Sequence, residues 1–189
     1  NKILITGAAG FIGYHITKIF IDNGLKVVGI DNLNSYYSVQ LKKDRTKQLF
    51  KNNKSLSYSF KEMDIRDKNT LFELFENEKF SHIIHLAAQA GVRHSISNPE
   101  AYISSNIEGF LNILEASRLN HVNHLYYASS SSVYGNQKKV PYNEKDKTDN
   151  PVSLYAATKK ANELIAHSYT CLYNIRTTGL RFFTVYGPW

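Results

Sequence analysis

The sequence is poor in cysteine and proline, with one Cys and four Pro among 189 residues. A single cysteine excludes an intrachain disulfide, which fits a reducing compartment, so we expect a cytoplasmic protein. No apolar run is long enough to span a bilayer, and residues 1–7 already have a strand pattern, so we expect neither membrane insertion nor a signal peptide. Cys171 lies in an apolar helical stretch without a CxxC partner, which favours a buried structural thiol over a nucleophile.

Several catalytic motifs are also missing. The sequence contains no HExxH, no GxSxG and no paired CxxC, and its seven histidines are scattered without metal-ligand spacing. His82 and His85 flank the apolar centre of a strand-like run, where a structural role is the simpler interpretation. We therefore expect no metal site.

Positive charge is in excess, and a formal net charge of +7 with 13 tyrosines could indicate a nucleic-acid ligand. The basic residues, however, are scattered and form no basic arm. A small ligand that carries phosphate would account for part of the excess, so we expect no nucleic-acid partner. With 42% hydrophobic and 21% charged residues, the composition is that of one ordinary globular domain.

Strand and helix patterns alternate along the chain. Strand-like runs occupy residues 3–5, 27–30, 56–61, 82–86, 125–128 and 178–183, and helical periodicity occupies 11–23, 38–52, the surroundings of Leu71, Leu74 and Phe75, 99–120 and 154–173. This alternation predicts an α/β fold with a doubly wound parallel sheet. Such sheets bind ligands at the carboxyl ends of their strands, so the segments that follow each strand form the candidate site.

Two helices have apolar stripes that predict a buried face. In residues 11–23 the stripe consists of Ile12, Ile16, Ile19 and Phe20, and in residues 99–120 it consists of Ile103, Ile107, Phe110, Leu111 and Leu114. Asn98 and Pro99 are suited to the cap and the first turn of the second of these helices.

A glycine-rich turn, Gly7-Ala8-Ala9-Gly10-Phe11-Ile12-Gly13, joins the first strand to the first helix. Gly7 permits the tight turn, Gly10 lets the backbone approach a pyrophosphate, and Gly13 lets the helix pack closely on the strand. Asp31 ends the next strand, where its carboxylate can accept hydrogen bonds from an adenosine ribose. The glycines could merely end a strand, but their flanks and Asp31 favour a dinucleotide site.

The TGxxGxxG spacing of this turn resembles that of the short-chain dehydrogenase/reductases, whose cofactor unit is a Rossmann fold. The resemblance implies a cofactor site formed by Gly7, Gly10, Phe11, Ile12, Gly13, Asp31, Asn32, Asp64, Ile65, Leu86, Ala87 and Ala88. Asp64 and Ile65 would contact the adenine, although Asp64 could equally be a helix-entry residue. No arginine adjoins Asp31 in the sequence, so the implied cofactor is NAD rather than NADP.

Tyr155 and Lys159 form a YxxxK motif, whose two members share one face of a helix. A free tyrosine has a pKa of about 10, and a nearby lysine, together with a positive nicotinamide ring, favours the phenolate needed for a base. The motif follows a strand that ends in a run of serines, although an exposed helix pair is the alternative interpretation. The resemblance implies that Tyr155 is the base, that Lys159 tunes it and binds the nicotinamide ribose, and that Ser130 orients the reacting sugar hydroxyl.

Long runs at residues 88–93, 127–135, 151–164 and 177–189 resemble the UDP-glucuronate 4-epimerases, including those of bacterial capsule synthesis. The resemblance implies a UDP-sugar substrate, a homodimer when full length, and substrate contacts from Arg93, Ser131, Ser132 and Thr184. Related dehydratases and decarboxylases carry a glutamate at the position of Ser132. The absence of that glutamate favours simple epimerisation. The family's sugar-binding part is absent, and we expect residues 1–189 to be the NAD-binding domain of a longer enzyme.

Three alternatives stay open. The substrate could be a UDP-hexose or a UDP-N-acetylhexosamine, or the enzyme could be an oxidoreductase that releases a keto sugar and NADH. A non-catalytic NAD-binding scaffold is disfavoured because Ser130, Tyr155 and Lys159 are all present.

Overall fold

The computed structural model describes residues 2–52 and 57–189. Asn1 and Leu56, which the sequence pattern places in strands, lie outside the described residues. The strands are β1 Lys2–Thr6, β2 Lys26–Asp31, β3 Tyr58–Glu62, β4 His82–His85, β5 His124–Ser130 and β6 Thr177–Phe182. The helices are α1 Phe11–Asp22, α2 Val39–Asn52, α3 Lys68–Glu78, α4 His94–Ser97, α5 Pro99–Tyr102, a π-helical segment Ile103–Glu108, α6 Gly109–Leu119, a 3-10 helix Ser131–Tyr134 and α7 Leu154–Tyr173.

The six strands form one parallel sheet in the order β3-β2-β1-β4-β5-β6. The chain builds β1, β2 and β3 towards one edge and then returns to place β4 on the other side of β1. This confirms the predicted doubly wound parallel sheet, and it puts the reversal of strand order between β1 and β4. A crevice opens at such a point, outside the carboxyl ends of the two strands.

The sheet is buried on both faces because helices cover each of them. On one face, Tyr14 and Ile21 of α1 and Leu49 of α2 pack against the apolar side chains of β1 and β2. On the other face, Phe75 of α3 and Phe110 of α6 belong to a second cluster that includes residues of β1, β4 and β5. Strands with two covered faces are expected to be continuously apolar, as the runs in β1, β2 and β4 are.

The buried face of α1 overlaps the predicted stripe only in part, since Ile16 and Phe20 are partly buried against the core. Gly13, Tyr14, Thr17 and Ile21 are buried, whereas Ile19 is 57% exposed. The rotation of the helix is fixed by Gly13, whose backbone packs directly against the Gly7–Ala8 segment. That close approach sets which side of α1 faces the sheet and leaves Ile19 exposed.

The predicted helix over 99–120 is interrupted by the π-helical segment. Phe110 and Leu114 are buried as expected, but Ile103 and Leu111 are 44% and 42% exposed. The inward face instead carries Tyr102 and the polar residue Asn106, so the predicted stripe was wrong at two of its five positions. Asn98 makes no side-chain capping bond to this helix, although Pro99 does occupy its first turn.

Cys171 is exposed, so the predicted burial of its thiol is wrong. It belongs to the last turns of α7, and the buried residues of that helix end at Ala166. Among the described residues, no helix has both the length and the apolar composition that crossing a membrane requires.

Candidate active site

The glycine-rich turn has the geometry of an anion site. Gly7 has a φ of +69°, and its carbonyl oxygen accepts a hydrogen bond of 3.0 Å from the Gly10 N–H. A Cβ on Gly13 would overlap the Gly7 carbonyl oxygen and lie 2.9 Å from Ala8 Cα, so only glycine permits this packing of α1 on β1. The helix then begins at Phe11, and the N–H groups of its first turn are available to a negatively charged group.

Two adjoining cavities lie along the carboxyl ends of the strands. The first is lined by Asp31, Asn32, Asp64, Ile65 and Ala87, and the second by Phe11, Ile12, Gly13, Ser130, Tyr155 and Lys159. Gly7, Gly10, Leu86 and Ala88 line both. The structure therefore brings every residue of the sequence-predicted cofactor and catalytic sets to one continuous cleft.

Asp31 is held by the backbone around it. Its Oδ2 accepts from Ala9 N–H at 3.2 Å and its Oδ1 accepts from Leu33 N–H at 2.9 Å. Burial raises the pKa of Asp31, while the Leu33 N–H and the nearby Lys42 act in the opposite direction. The carboxylate is thus fixed in orientation at the end of β2, with its edge on the first cavity.

Asp64 is organised differently. Burial alone would raise its pKa, but hydrogen bonds from Arg66 and Asn32 hold the pKa of Asp64 at about 2. Asn32 Nδ2 donates to Asp64 Oδ2 at 2.9 Å, which joins the ends of β2 and β3. Asp64 is therefore ionised at neutral pH and is part of the wall of the first cavity.

Two cations of α2 also contribute to this end of the cleft, which sequence reasoning missed. Lys42 donates to the backbone oxygen of Asn34 at 2.8 Å and to its Oδ1 at 2.9 Å, and Arg45 donates to the Tyr37 hydroxyl at 3.1 Å. Both cations lie near Asp31 and lower its pKa. No arginine adjoins Asp31 in the sequence, but Arg45 lies near it in the folded chain. The pattern of 38–52 is that of a polar surface helix, but Lys42 and Arg45, three residues apart, are both buried.

The second cavity contains the YxxxK pair. Lys159 is fully enclosed, its Nζ donates to Ala128 O at 2.8 Å, and this atom lies 6.0 Å from the centroid of the Tyr155 ring. Burial lowers the pKa of Lys159 to about 8. Burial also raises the pKa of Tyr155, and the Ser130 hydroxyl only partly opposes it. The expected lowering by Lys159 is therefore not found, because the ammonium group is directed at a carbonyl of β5.

Ser130 ends β5 and caps the 3-10 helix. Its Oγ accepts from Ser132 N–H at 3.1 Å and donates to Ser132 Oγ at 3.2 Å. Ser131 and Ser132 therefore follow the catalytic candidate directly but do not line either cavity. Arg93 and Thr184 are exposed and also lie outside both cavities, so the four predicted substrate residues are not brought together in the cleft.

Asn106 is a further polar residue of this region. It lies buried in the π-helical segment, where its Oδ1 accepts from Gln89 N–H at 2.8 Å and its Nδ2 donates to Gln89 O at 3.1 Å. Its Nδ2 also donates to Thr158 Oγ1 at 3.1 Å, next to Lys159. Single π-helical turns are frequent at functional sites. An asparagine within an apolar stripe was the only signal for it in the sequence.

The sequence of this chain is similar to the sequences of known proteins, among them UDP-glucuronate 4-epimerases. The chain is 55% identical over 188 residues to the protein CapI of Staphylococcus aureus, and the match covers all of this chain and 55% of CapI. It is 51% identical over 189 residues to UDP-glucuronate 4-epimerase 2 of Arabidopsis thaliana, covering all of this chain and 43% of that protein. The chain spans about half the length of these curated relatives.

A solved structure gives the same result. The crystal structure of a UDP-glucuronic acid 4-epimerase of Bacillus cereus, in complex with UDP-glucuronic acid and NAD, superposes with a TM-score of 0.90 at 35% identity. The superposition covers all of this chain and 58% of that one. The model of the NAD dependent epimerase/dehydratase family matches residues 3–189, so the chain belongs to that family.

Proposed function

We propose that this chain is the NAD-binding part of a longer nucleotide-sugar 4-epimerase, and that its sugar is UDP-glucuronate. The observation that carries the proposal is the meeting of Ser130, Tyr155 and Lys159 with the glycine-rich turn in one cavity. The similarity to UDP-glucuronate 4-epimerases over the whole chain supports the choice of substrate.

The cleft suits NAD along its whole length. The N–H groups at the start of α1 would face the pyrophosphate, Asp31 the adenosine ribose, and Asp64 and Ile65 the adenine. Asp31 would repel a 2′-phosphate, which favours NAD over NADP. The positive charges of Lys42 and Arg45, which lie close enough to Asp31 to lower its pKa, would offset part of that repulsion, but Lys42 already donates two hydrogen bonds to Asn34.

The residues around the nicotinamide end have distinct tasks. When bound, NAD would supply reversible hydride transfer at C4 of the sugar. Tyr155 takes the proton of the 4-hydroxyl and gives it back after the 4-keto sugar has turned. Ser130 orients that hydroxyl. Lys159, whose pKa of about 8 leaves it largely protonated at neutral pH, would have to turn from Ala128 O towards the bound cofactor and Tyr155 to favour the phenolate.

The carboxylate of the substrate is the feature that would distinguish a uronate enzyme from its relatives. Ser131, Ser132 and Thr184 offer hydroxyl donors, and Arg93 offers a positive charge. Each hydrogen bond to a charged group contributes about 1.5–3 kcal/mol, so two or three could give a preference of about a hundredfold or more over a neutral sugar. These side chains would have to converge on the substrate in the full-length enzyme.

The test is a product and cofactor assay with the full-length enzyme. UDP-glucuronate should be converted to UDP-galacturonate without accumulation of NADH, and UDP-glucose should be converted far less efficiently. Thr184→Val should reduce this preference more than it slows the reaction of UDP-glucose. Equal efficiency with the two sugars would replace the uronate assignment by a hexose or N-acetylhexosamine epimerase, and stoichiometric NADH would indicate an oxidoreductase.

A further inference from the structure

A polar cluster lies directly beneath the reacting residues, on the side of the sheet that α7 covers. Glu163 is one turn beyond Lys159 on α7, and its Oε1 accepts from Ser129 Oγ at 2.6 Å. Arg181 donates to the same carboxylate through Nε at 2.8 Å and Nη2 at 2.9 Å. Ser129 and Arg181 are register partners on β5 and β6. We call Glu163, Ser129 and Arg181 the Glu163 clamp.

The Glu163 clamp joins three segments that carry the proposed chemistry. Ser129 immediately precedes Ser130, and Arg181 is followed within three residues by Thr184. Arg181 also donates to Glu144 O at 3.2 Å and lies 4.9 Å from the ring centroid of Tyr134, which ends the 3-10 helix. The loop after β5, the end of β6 and the catalytic helix are thereby tied to one carboxylate.

Two successive anchors fix α7 along β5. Lys159 bonds the backbone oxygen of Ala128, and Glu163, one turn later, bonds the side chain of Ser129. Together they set how far Tyr155, at the start of α7, stands from Ser130. In a catalytic site a displacement of about 1 Å can cost about a hundredfold in rate.

The composition of the clamp fits positioning better than stabilisation. The side chains of Glu163 and Arg181 are only 15% and 20% exposed, and a buried ion pair adds little net stability over apolar residues of similar volume. Bidentate geometry between a guanidinium and a carboxylate does, however, fix direction closely. Lys160, 3.9 Å from Glu163, adds charge without a further direct bond to a strand.

We propose that Glu163 is a positioning residue, which holds Ser130 in register with Tyr155 by bonding Ser129 and Arg181 from α7. This inference rests on the proposed function for its kinetic consequence, and on the geometry alone for its structural one.

The kinetic test is a double-mutant cycle in the full-length enzyme with UDP-glucuronate. The variants are Glu163→Gln, Ser129→Ala and the two combined. Glu78→Gln is the matched control, because Glu78 also bridges two strands from a helix, at 2.6 Å to Lys2 and 3.3 Å to Lys61, far from the cleft. Bound NAD and the melting temperature are measured for each protein.

We expect kcat to fall about tenfold or more in Glu163→Gln and in Ser129→Ala, with KM changed by less than about threefold. The combined variant should be no slower than the slower single variant, since Ser129 acts through its contact with Glu163. Glu78→Gln should keep the kcat of the wild type, even if its melting temperature falls as far. Additive losses, or a loss of kcat in Glu78→Gln equal to that in Glu163→Gln, would overturn the proposal.

Hydrogen exchange of the NAD-loaded protein decides the structural part independently of turnover. Glu163→Gln should accelerate exchange in residues 128–132, and Glu78→Gln should not. Unchanged exchange in residues 128–132 would contradict the positioning role of Glu163. If the wild-type enzyme epimerises no UDP-sugar, the proposed function fails by itself, and the exchange experiment still decides whether Glu163 positions the end of β5.

Discussion

Tyr155 depends on a positive partner to act as a base, because burial raises the pKa of its phenol and Ser130 compensates only in part. Tyr155→Phe keeps the shape of the ring but removes the only proposed base. We expect turnover of the full-length enzyme to fall by about a thousandfold or more, with NAD still bound. Activity within tenfold of the wild type, measured beside the bound NAD content, would remove Tyr155 from the mechanism.

His85 is a buried histidine whose neutral form the fold requires. Thr6 Oγ1 accepts from the N–H groups of Leu86 at 3.2 Å and Ala87 at 3.1 Å, so its own proton is donated to His85 Nδ1, at 2.8 Å. A protonated ring would place a donor against this hydroxyl. Burial, with the charge of Lys159, lowers the pKa of His85 from 6.5 to about 3.

This shift makes folding pH-dependent. The pKa of His85 is lower in the folded state than in the unfolded state. The stabilisation that depends on neutral His85 is therefore fully present above pH 6.5 and is lost as the pH falls towards 3. His85→Asn keeps an acceptor for Thr6 and cannot titrate. Between about pH 7.5 and about pH 4.5, the unfolding free energy of the wild type should fall by about 2–3 kcal/mol relative to the variant. Urea denaturation at both pH values measures this, and parallel changes in the two proteins would contradict it.

At the scale of elements, the contact of α1 with β1 decides both the fold and the anion site. Gly13→Ala would force α1 away from the Gly7 carbonyl oxygen, so we expect a loss of about 1–3 kcal/mol in unfolding free energy and a marked loss of NAD affinity. Calorimetric titration with NAD and thermal unfolding measure the two effects.

Gly24→Ala is the control for this change. Gly24 follows the other end of α1 and has a φ of +74°, but a Cβ there meets no atom within 4 Å. The substitution should cost about 1 kcal/mol through backbone strain alone and leave NAD affinity unchanged. Equal NAD affinity in the two variants would mean that the close approach at Gly13 does not shape the cofactor site.

At the scale of the whole molecule, one side of the sheet presents apolar surface on neighbouring helices. Ile103 of the π-helical segment, Leu111 of α6 and Leu164 of α7 are all exposed, the last by 57%. We propose that this surface is the interface of a homodimer in the full-length enzyme. Leu164→Glu should then yield a monomer by light scattering, whereas Ile19→Glu, equally exposed on the opposite face of the sheet, should not. Dimers in both variants would place the interface elsewhere.

The isolated chain should bind NAD but not turn over substrate. All its predicted cofactor residues line one cleft, yet the chain spans about half the length of its curated relatives, and Arg93 and Thr184 lie outside that cleft. Without groups that orient the nucleotide sugar, the contribution of proximity is lost, which amounts to several kcal/mol of the barrier. Measurable epimerisation of UDP-glucuronate by purified residues 1–189 would contradict this.

Local patterns in the sequence were enough to predict the order of strands and helices and the cofactor turn. Periodicity reports backbone geometry and average burial, and both are set by neighbours within a turn or a strand. For the same reason Tyr155 and Lys159 could be paired on one face, and Asp31, Asp64 and the Leu86 segment could be assigned to one rim once the sheet was known to be parallel.

Only the tertiary structure decided contacts that depend on register and rotation. The packing of Gly13 set the rotation of α1 so that Ile19 is exposed, and in the π-helical segment Asn106 is buried where Ile103 is exposed. Lys42 and Arg45 of α2 lie near Asp31, although they stand 11 and 14 positions from it along the chain. The Glu163 clamp joins residues 34 and 18 positions apart, and no local pattern could pair them, since their meeting follows from the register of β5 with β6 beneath α7.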